Sequence, residues 1–109
     1  MATNSDFVNY VCEQIQDVGM IRSKKMFGEY MVYINDKPIL LVCDNTVFVK
    51  KLDVIEKDMI NAEVGCPYNG AKEHYILDID NAEFSKEIIN ILEKVTPIPT
   101  KKKKASKKI

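Results

Sequence analysis

No uninterrupted aliphatic run in this chain exceeds five residues, Ile39 to Cys43, far short of the roughly 20 apolar residues of a membrane-crossing helix. No membrane association is expected. The N-terminus has Asp6 where a secretory signal would carry a basic start and a long apolar stretch. Cysteine is scarce: Cys12, Cys43 and Cys66 are odd in number and widely spaced, which excludes a disulfide framework and a zinc-ligand pattern. Reduced thiols in a cytoplasm are the expectation. Histidine is scarcer still. With His74 alone, a metal shell would need scattered cysteines and distant carboxylates. No metal and no cofactor are expected.

What remains is ordinary in bulk and uneven in detail. The 109 residues suffice for one core but not for two. Apolar residues at 46% and charged residues at 29% are those of a soluble globular protein. The formal net charge of zero hides an asymmetry. Lys101, Lys102, Lys103, Lys104, Lys107 and Lys108 crowd the last nine positions, leaving residues 1–100 with 10 basic and 16 acidic side chains, a net charge of −6. The chain therefore divides into a domain over 1–96 and a lysine-rich tail over 97–109. Pro97 and Pro99 separate them, and the tail has too few apolar residues to pack, so disorder is expected there.

Hydrophobic periodicity predicts the elements. Phe7, Val8, Val11, Cys12, Ile15 and Val18 form a helical stripe over 5–18, with Gly19 just past its end. Met26-Phe27, Tyr30–Ile34, Ile39–Cys43 and Thr46–Lys50 read as strands, broken at Asn35-Asp36-Lys37-Pro38 and at Asp44-Asn45. Two of these strands are apolar on both faces, which implies helices on one side and a further helix or a partner subunit over part of the other. A second helix is expected over 54–62, with Asp53 and Glu56 at capping-box spacing. A strand over 73–79 follows. A final helix runs to about Val95, capped by Asp80 and Glu83, with Phe84, Ile88, Ile91, Leu92 and Val95 inward. The order α-β-β-β-β-α-β-α makes an α+β domain: an antiparallel meander with N- and C-terminal helices packed on it.

Two short motifs are not explained by core packing alone. One is Lys25-Met26-Phe27-Gly28-Glu29-Tyr30, the other Pro67-Tyr68-Asn69-Gly70-Ala71-Lys72. Together with the first helix, Leu41-Val42-Cys43-Asp44-Asn45 and Phe48-Val49-Lys50, and in this order, they resemble the TfoX N-terminal domain family, also called TfoX/Sxy. The resemblance spans about Asp6 to Val95. The family's named members are bacterial regulators of competence genes that join this domain to a C-terminal one. It implies an α+β fold, a regulatory setting and no established reaction.

Each motif has a structural and a functional reading. In the first, Gly28 permits a bulge while Met26 and Phe27 fill the core; alternatively Lys25, Phe27, Gly28 and Glu29 meet a ligand or a neighbouring backbone. In the second, Tyr68 caps the core edge, or Tyr68, Gly70 and Lys72 form a recognition surface. A catalytic grouping of Cys66, His74 and Asp78 is disfavoured. His74 and Asp78 would stand roughly 13 Å apart along a strand. The tail lysines suit weak, salt-sensitive and sequence-indifferent contact with nucleic acid, without aromatics for base stacking. The expected function is a small cytoplasmic, non-enzymatic regulatory module acting through a protein partner, a homodimer being one arrangement. The alternatives are nucleic-acid association through the tail and, third, a small-molecule-binding or enzymatic domain.

Overall fold

The computed structural model of the chain describes residues 4–26 and 29–98. Phe27, Gly28 and the tail lysines lie outside the described residues. Helix α1 spans Ser5–Gln14, β1 Ile21–Met26, β2 Glu29–Ile34, β3 Lys37–Cys43, β4 Thr46–Lys50, a 3-10 turn Asp53–Ile55, β5 Val64–Gly65, β6 His74–Ile76 and α2 Ala82–Val95. The strands form one antiparallel sheet in the order β1-β2-β3-β4-β6-β5. This is the expected α+β arrangement.

Tight turns set the register of the meander. Asn35 and Asp36 between β2 and β3, and Asp44 and Asn45 between β3 and β4, all have positive φ, between 51° and 68°. Consecutive left-handed residues make the two-residue turn that matches strand twist, and Asn and Asp tolerate that conformation best. Both breaks are therefore two residues long. Lys37 and Pro38, expected in the first turn, belong to β3. Pro38 faces Tyr33 where the β2–β3 register shifts, the kind of irregularity at which a residue without an N–H is tolerated.

One sheet face carries the core. Val32, Ile34, Leu40, Val42, Val47, Val49, Tyr75 and Leu77 pack with Val8, Val11 and Ile15 from the first helical segment, Ile88, Ile89 and Leu92 from α2, and Ile55 and Met59. The registers Met31↔Leu41, Leu41↔Phe48 and Phe48↔Ile76 align a second apolar row on the opposite face. Phe48 is buried there, while Met31, Leu41 and Ile76 are half-buried.

Several boundaries differ from the sequence reading, each for a local reason. Helix α1 stops at Gln14 rather than near Val18, because Asp17 takes φ 87° and the last amides bond three residues back. Ile15 stays fully buried all the same. Strand β1 covers six residues, although Arg22, Ser23, Lys24 and Lys25 give it no apolar signal; it is an edge strand, where such charges discourage pairing with another sheet. The expected helix over 54–62 is a 3-10 turn followed by hydrogen-bonded turns, begun at Leu52 without a side-chain cap. Asn81, not Asp80, caps α2 by accepting from the Phe84 amide at 3.2 Å. The inward face of α2 correspondingly includes Ser85 and Ile89, and Val95 is exposed.

Candidate functional site

The two motifs singled out in the sequence occupy different parts of the sheet. Lys25 pairs with Tyr30, and Met26 with Glu29, at the free end of the β1–β2 hairpin. The loop over 66–72 joins β5 to β6 beside the far end of β4, where His74 pairs with Lys50. Four strand spacings, about 19 Å, separate β1 from β6, and the motifs lie at opposite ends of their strands. Lys25 and Glu29 therefore do not form one surface with Tyr68, Gly70 and Lys72.

Each motif has its own local chemistry. The Glu29 carboxylate contacts the buried Cys43 thiol, while its Oε1 is buried without a hydrogen-bond partner. Burial first, and then Glu29, push the Cys43 thiol up to about 12. Such a thiol stays protonated and is a poor nucleophile. In the loop Tyr68 is 57% exposed, and Gly70 has φ +89° with open space around it. The Lys72 carbonyl accepts a 2.8 Å hydrogen bond from His74 Nδ1, a contact made within the chain's own turn. No hydrogen bond joins Cys66, His74 and Asp78 among the described residues. None of their His, Cys, Asp and Glu side chains cluster in threes at metal-binding distance.

A different concavity is better formed. An open cleft of about 720 Å³ lies on the core side of the sheet. Five segments build its walls: Phe7 of α1, the Asn45 turn with the start of β4, residues 58–63, the end of β6 with residues 77–80, and the first turn of α2. Phe7 and Phe84 supply an apolar floor with Met59 and Ile79. Asp58, Glu63, Asp78 and Asp80 stand around it, and no Lys, Arg or His lines it. The volume is that of a ligand-sized site.

Hydrogen bonds hold the rim in shape. Asn4 donates its backbone amide to Asn45 Oδ1 at 2.9 Å, tying the start of α1 to the β3–β4 turn. Gln14 Nε2 donates to the Ile79 carbonyl at 2.9 Å, and Ser85 Oγ donates to the Asp78 carbonyl at 3.0 Å. The Tyr10 phenol donates a short hydrogen bond to Asp80. That bond raises the Tyr10 pKa; burial and the charges of Asp80 and Asp78 push the same way. Asp58, Glu63 and Asp78 form no ion pair among the described residues. The arrangement therefore suits a cationic group with an apolar stem, such as a lysine or arginine side chain.

Sequence reasoning missed this cleft. Phe84 was expected inside the core and is only partly buried against it, while Asp80 was expected to cap a helix. The four acids are scattered between positions 58 and 80. Asp78 and Asp80 are two residues apart, but only the fold brings Asp58 and Glu63 to them, so no local spacing announces the set.

An uncharacterised 12.7 kDa protein in the trpE 5' region of Spirochaeta aurantia is 29% identical over 109 residues, covering 98% of this chain and 95% of that protein. The TfoX N-terminal domain profile matches residues 13–86, from the end of α1 through the whole sheet into the first turns of α2. On that match, the chain belongs to the TfoX N-terminal domain family.

Proposed function

We propose that this domain is a non-enzymatic, cytoplasmic protein-interaction module whose acidic cleft receives a basic segment of a partner protein. The observation that carries the reading is the cleft lining itself: four carboxylates and two phenylalanines around about 720 Å³, with no cation among the lining side chains. Carboxylates select lysine or arginine over other side chains, and the aromatic floor takes up the aliphatic stems. The regulatory setting proposed is of the competence type. The half-buried pair of Met31 and Leu41, which does not line the cleft, would give a homodimer a second surface.

Amide-resolved NMR titration of the full chain with an oligolysine peptide at low salt tests the reading. Shifts are expected at Thr46, Ala62, Leu77, Ile79 and Phe84. Shifts confined to the 66–72 loop, or none at all, would overturn it. A second reading, nucleic-acid association, is favoured only by the six lysines beyond position 100. Contact of that kind is lost steeply as salt rises. Mobility shifts of duplex DNA that persist at physiological salt would favour it over the cleft.

A further inference from the structure

The ligand chemistry of the cleft is present in the same chain. Residues 101–108 carry six lysines, and residues 1–100 carry a net charge of −6. We propose that the chain's own C-terminal segment, Lys101 to Lys108, folds back along α2 and docks in the cleft, as an internal competitor for the partner's basic segment. The proposal rests on the reading of the cleft given above.

Reach permits it. The cleft includes the first turn of α2, whereas Ile98 lies three residues past its last turn. A helix of 14 residues is about 21 Å long. Ten residues of extended chain beyond Ile98 span about 33 Å at most. Lys107 and Lys108 therefore reach the carboxylates with chain to spare, and Lys104 reaches the cleft mouth near full extension.

The path between is also marked. Glu83, Glu87 and Asn90 are exposed on α2, and their spacing of four and then three residues places them in one row. Glu83 and Glu87 form no ion pair among the described residues. The row covers the N-terminal two-thirds of α2 and ends at its first turn, where the cleft begins, while the exposed Lys94 stands at its other end. Lys101, Lys102 and Lys103 would lie along it while the later lysines enter the cleft.

Docking in cis acts through effective concentration. A short tether holds its end at a local concentration in the millimolar range, enough to occupy a modest electrostatic site. A partner with a stronger basic segment would displace the tail.

The test uses the full-length chain and a neutral-tail variant carrying Lys101→Gln, Lys102→Gln, Lys103→Gln, Lys104→Gln, Lys107→Gln and Lys108→Gln. The probe is a synthetic peptide of residues 99–109, titrated by calorimetry at low salt. The neutral-tail chain should bind it at least about ten-fold more tightly than the unaltered chain, whose own tail competes. Without peptide, amide spectra of the two chains should differ at Ala62, Leu77, Phe84 and Glu87, and the difference should vanish at high salt. Equal affinities with identical cleft amides would overturn the docking and leave the cleft's reading intact. Failure of both chains to bind the peptide would overturn both. Spectral differences confined to Met31, Leu41 and their neighbours would place the tail on the other sheet face and likewise overturn the proposal.

Discussion

The Asn35 carboxamide closes directly over Gly19: a Cβ at Gly19 would fall 2.8 Å from both Oδ1 and Nδ2 of Asn35. The same side chain accepts the Met20 amide at 2.9 Å and donates to Glu93 Oε2 at 3.3 Å, while the Asn35 amide donates to the Met20 carbonyl at 2.8 Å. One residue thus ties the exit of the first helical segment, the β2–β3 turn and α2 together. Gly19 also has φ +148°, which side-chain-bearing residues rarely adopt. Gly19→Ala should therefore cost roughly 1–3 kcal/mol. A lower urea midpoint with an unchanged slope would report it. Gly70→Ala, at φ +89° in open space, should cost only about 1 kcal/mol. Equal losses would show that the Asn35 contact is not the constraint.

Lys37 adds a second tie to α2. Its Nζ donates to the Glu93 backbone carbonyl at 2.7 Å and pairs with Oε2 at 3.1 Å. Hydrogen bonds from Lys37 first, and Asn35 second, hold the Glu93 carboxyl below its ordinary value of 4.5. A carboxyl depressed by folding stabilises fully above its unfolded pKa, and that contribution fades as pH falls through the folded value. Lys37→Met should be less stable than the parent at neutral pH. The gap should narrow below about pH 4.5. A gap constant down to pH 2 would contradict this assignment.

The three thiols should separate by reactivity. Cys66 is exposed, Cys12 is half-buried and raised by desolvation, and Cys43 is buried and raised to about 12. A thiol reagent at mildly alkaline pH should modify Cys66 quickly, Cys12 slowly and Cys43 only on unfolding. Because burial outranks Glu29 as the cause, Glu29→Gln should not make Cys43 fast. Labelling of Cys43 at the rate of Cys66 would show that the Glu29–Cys43 end of the sheet opens in solution.

Phe84 and Ile88 sit one turn apart on α2 but do different things. Ile88 is fully buried, so Ile88→Ala should cost about 2–5 kcal/mol. Phe84 is only partly buried and lines the cleft, so Phe84→Ala should cost about 1–2 kcal/mol in a denaturant melt. A larger loss for Phe84 than for Ile88 would return its ring to the core.

The fold was readable wherever the period of the sequence matched burial. Val32, Ile34, Leu40, Val42, Val47 and Val49 alternate as strands facing a core should, and the Asp44-Asn45 pair signals its turn without ambiguity. Reading failed where an element is held by its neighbours instead. Strand β1 has four consecutive polar residues and exists because β2 supplies its hydrogen bonds. Residues 56–61 fall short of a regular helix despite favourable spacing, and Ile55 and Met59 fix this segment to the core, with Leu52 and Ala62 packed against it at its ends. The candidate site was hardest to see. Asp58 and Glu63 stand far along the chain from the Asp78/Asp80 pair, and the glycine–aromatic motifs that drew attention lie at separate ends of the sheet.

The central claim is that Asp58 and Glu63 help the cleft to hold a lysine-rich segment. Calorimetric titration of oligolysine at low salt into the neutral-tail chain, which has no tail lysines of its own to compete, and into its Asp58→Asn/Glu63→Gln variant tests it most directly, with circular dichroism to confirm that both are folded. Two partly exposed ion pairs are worth a few tenths to one kcal/mol each, so the account predicts about ten-fold weaker binding by the variant. Undiminished binding by a folded variant would place the lysines elsewhere and contradict the account.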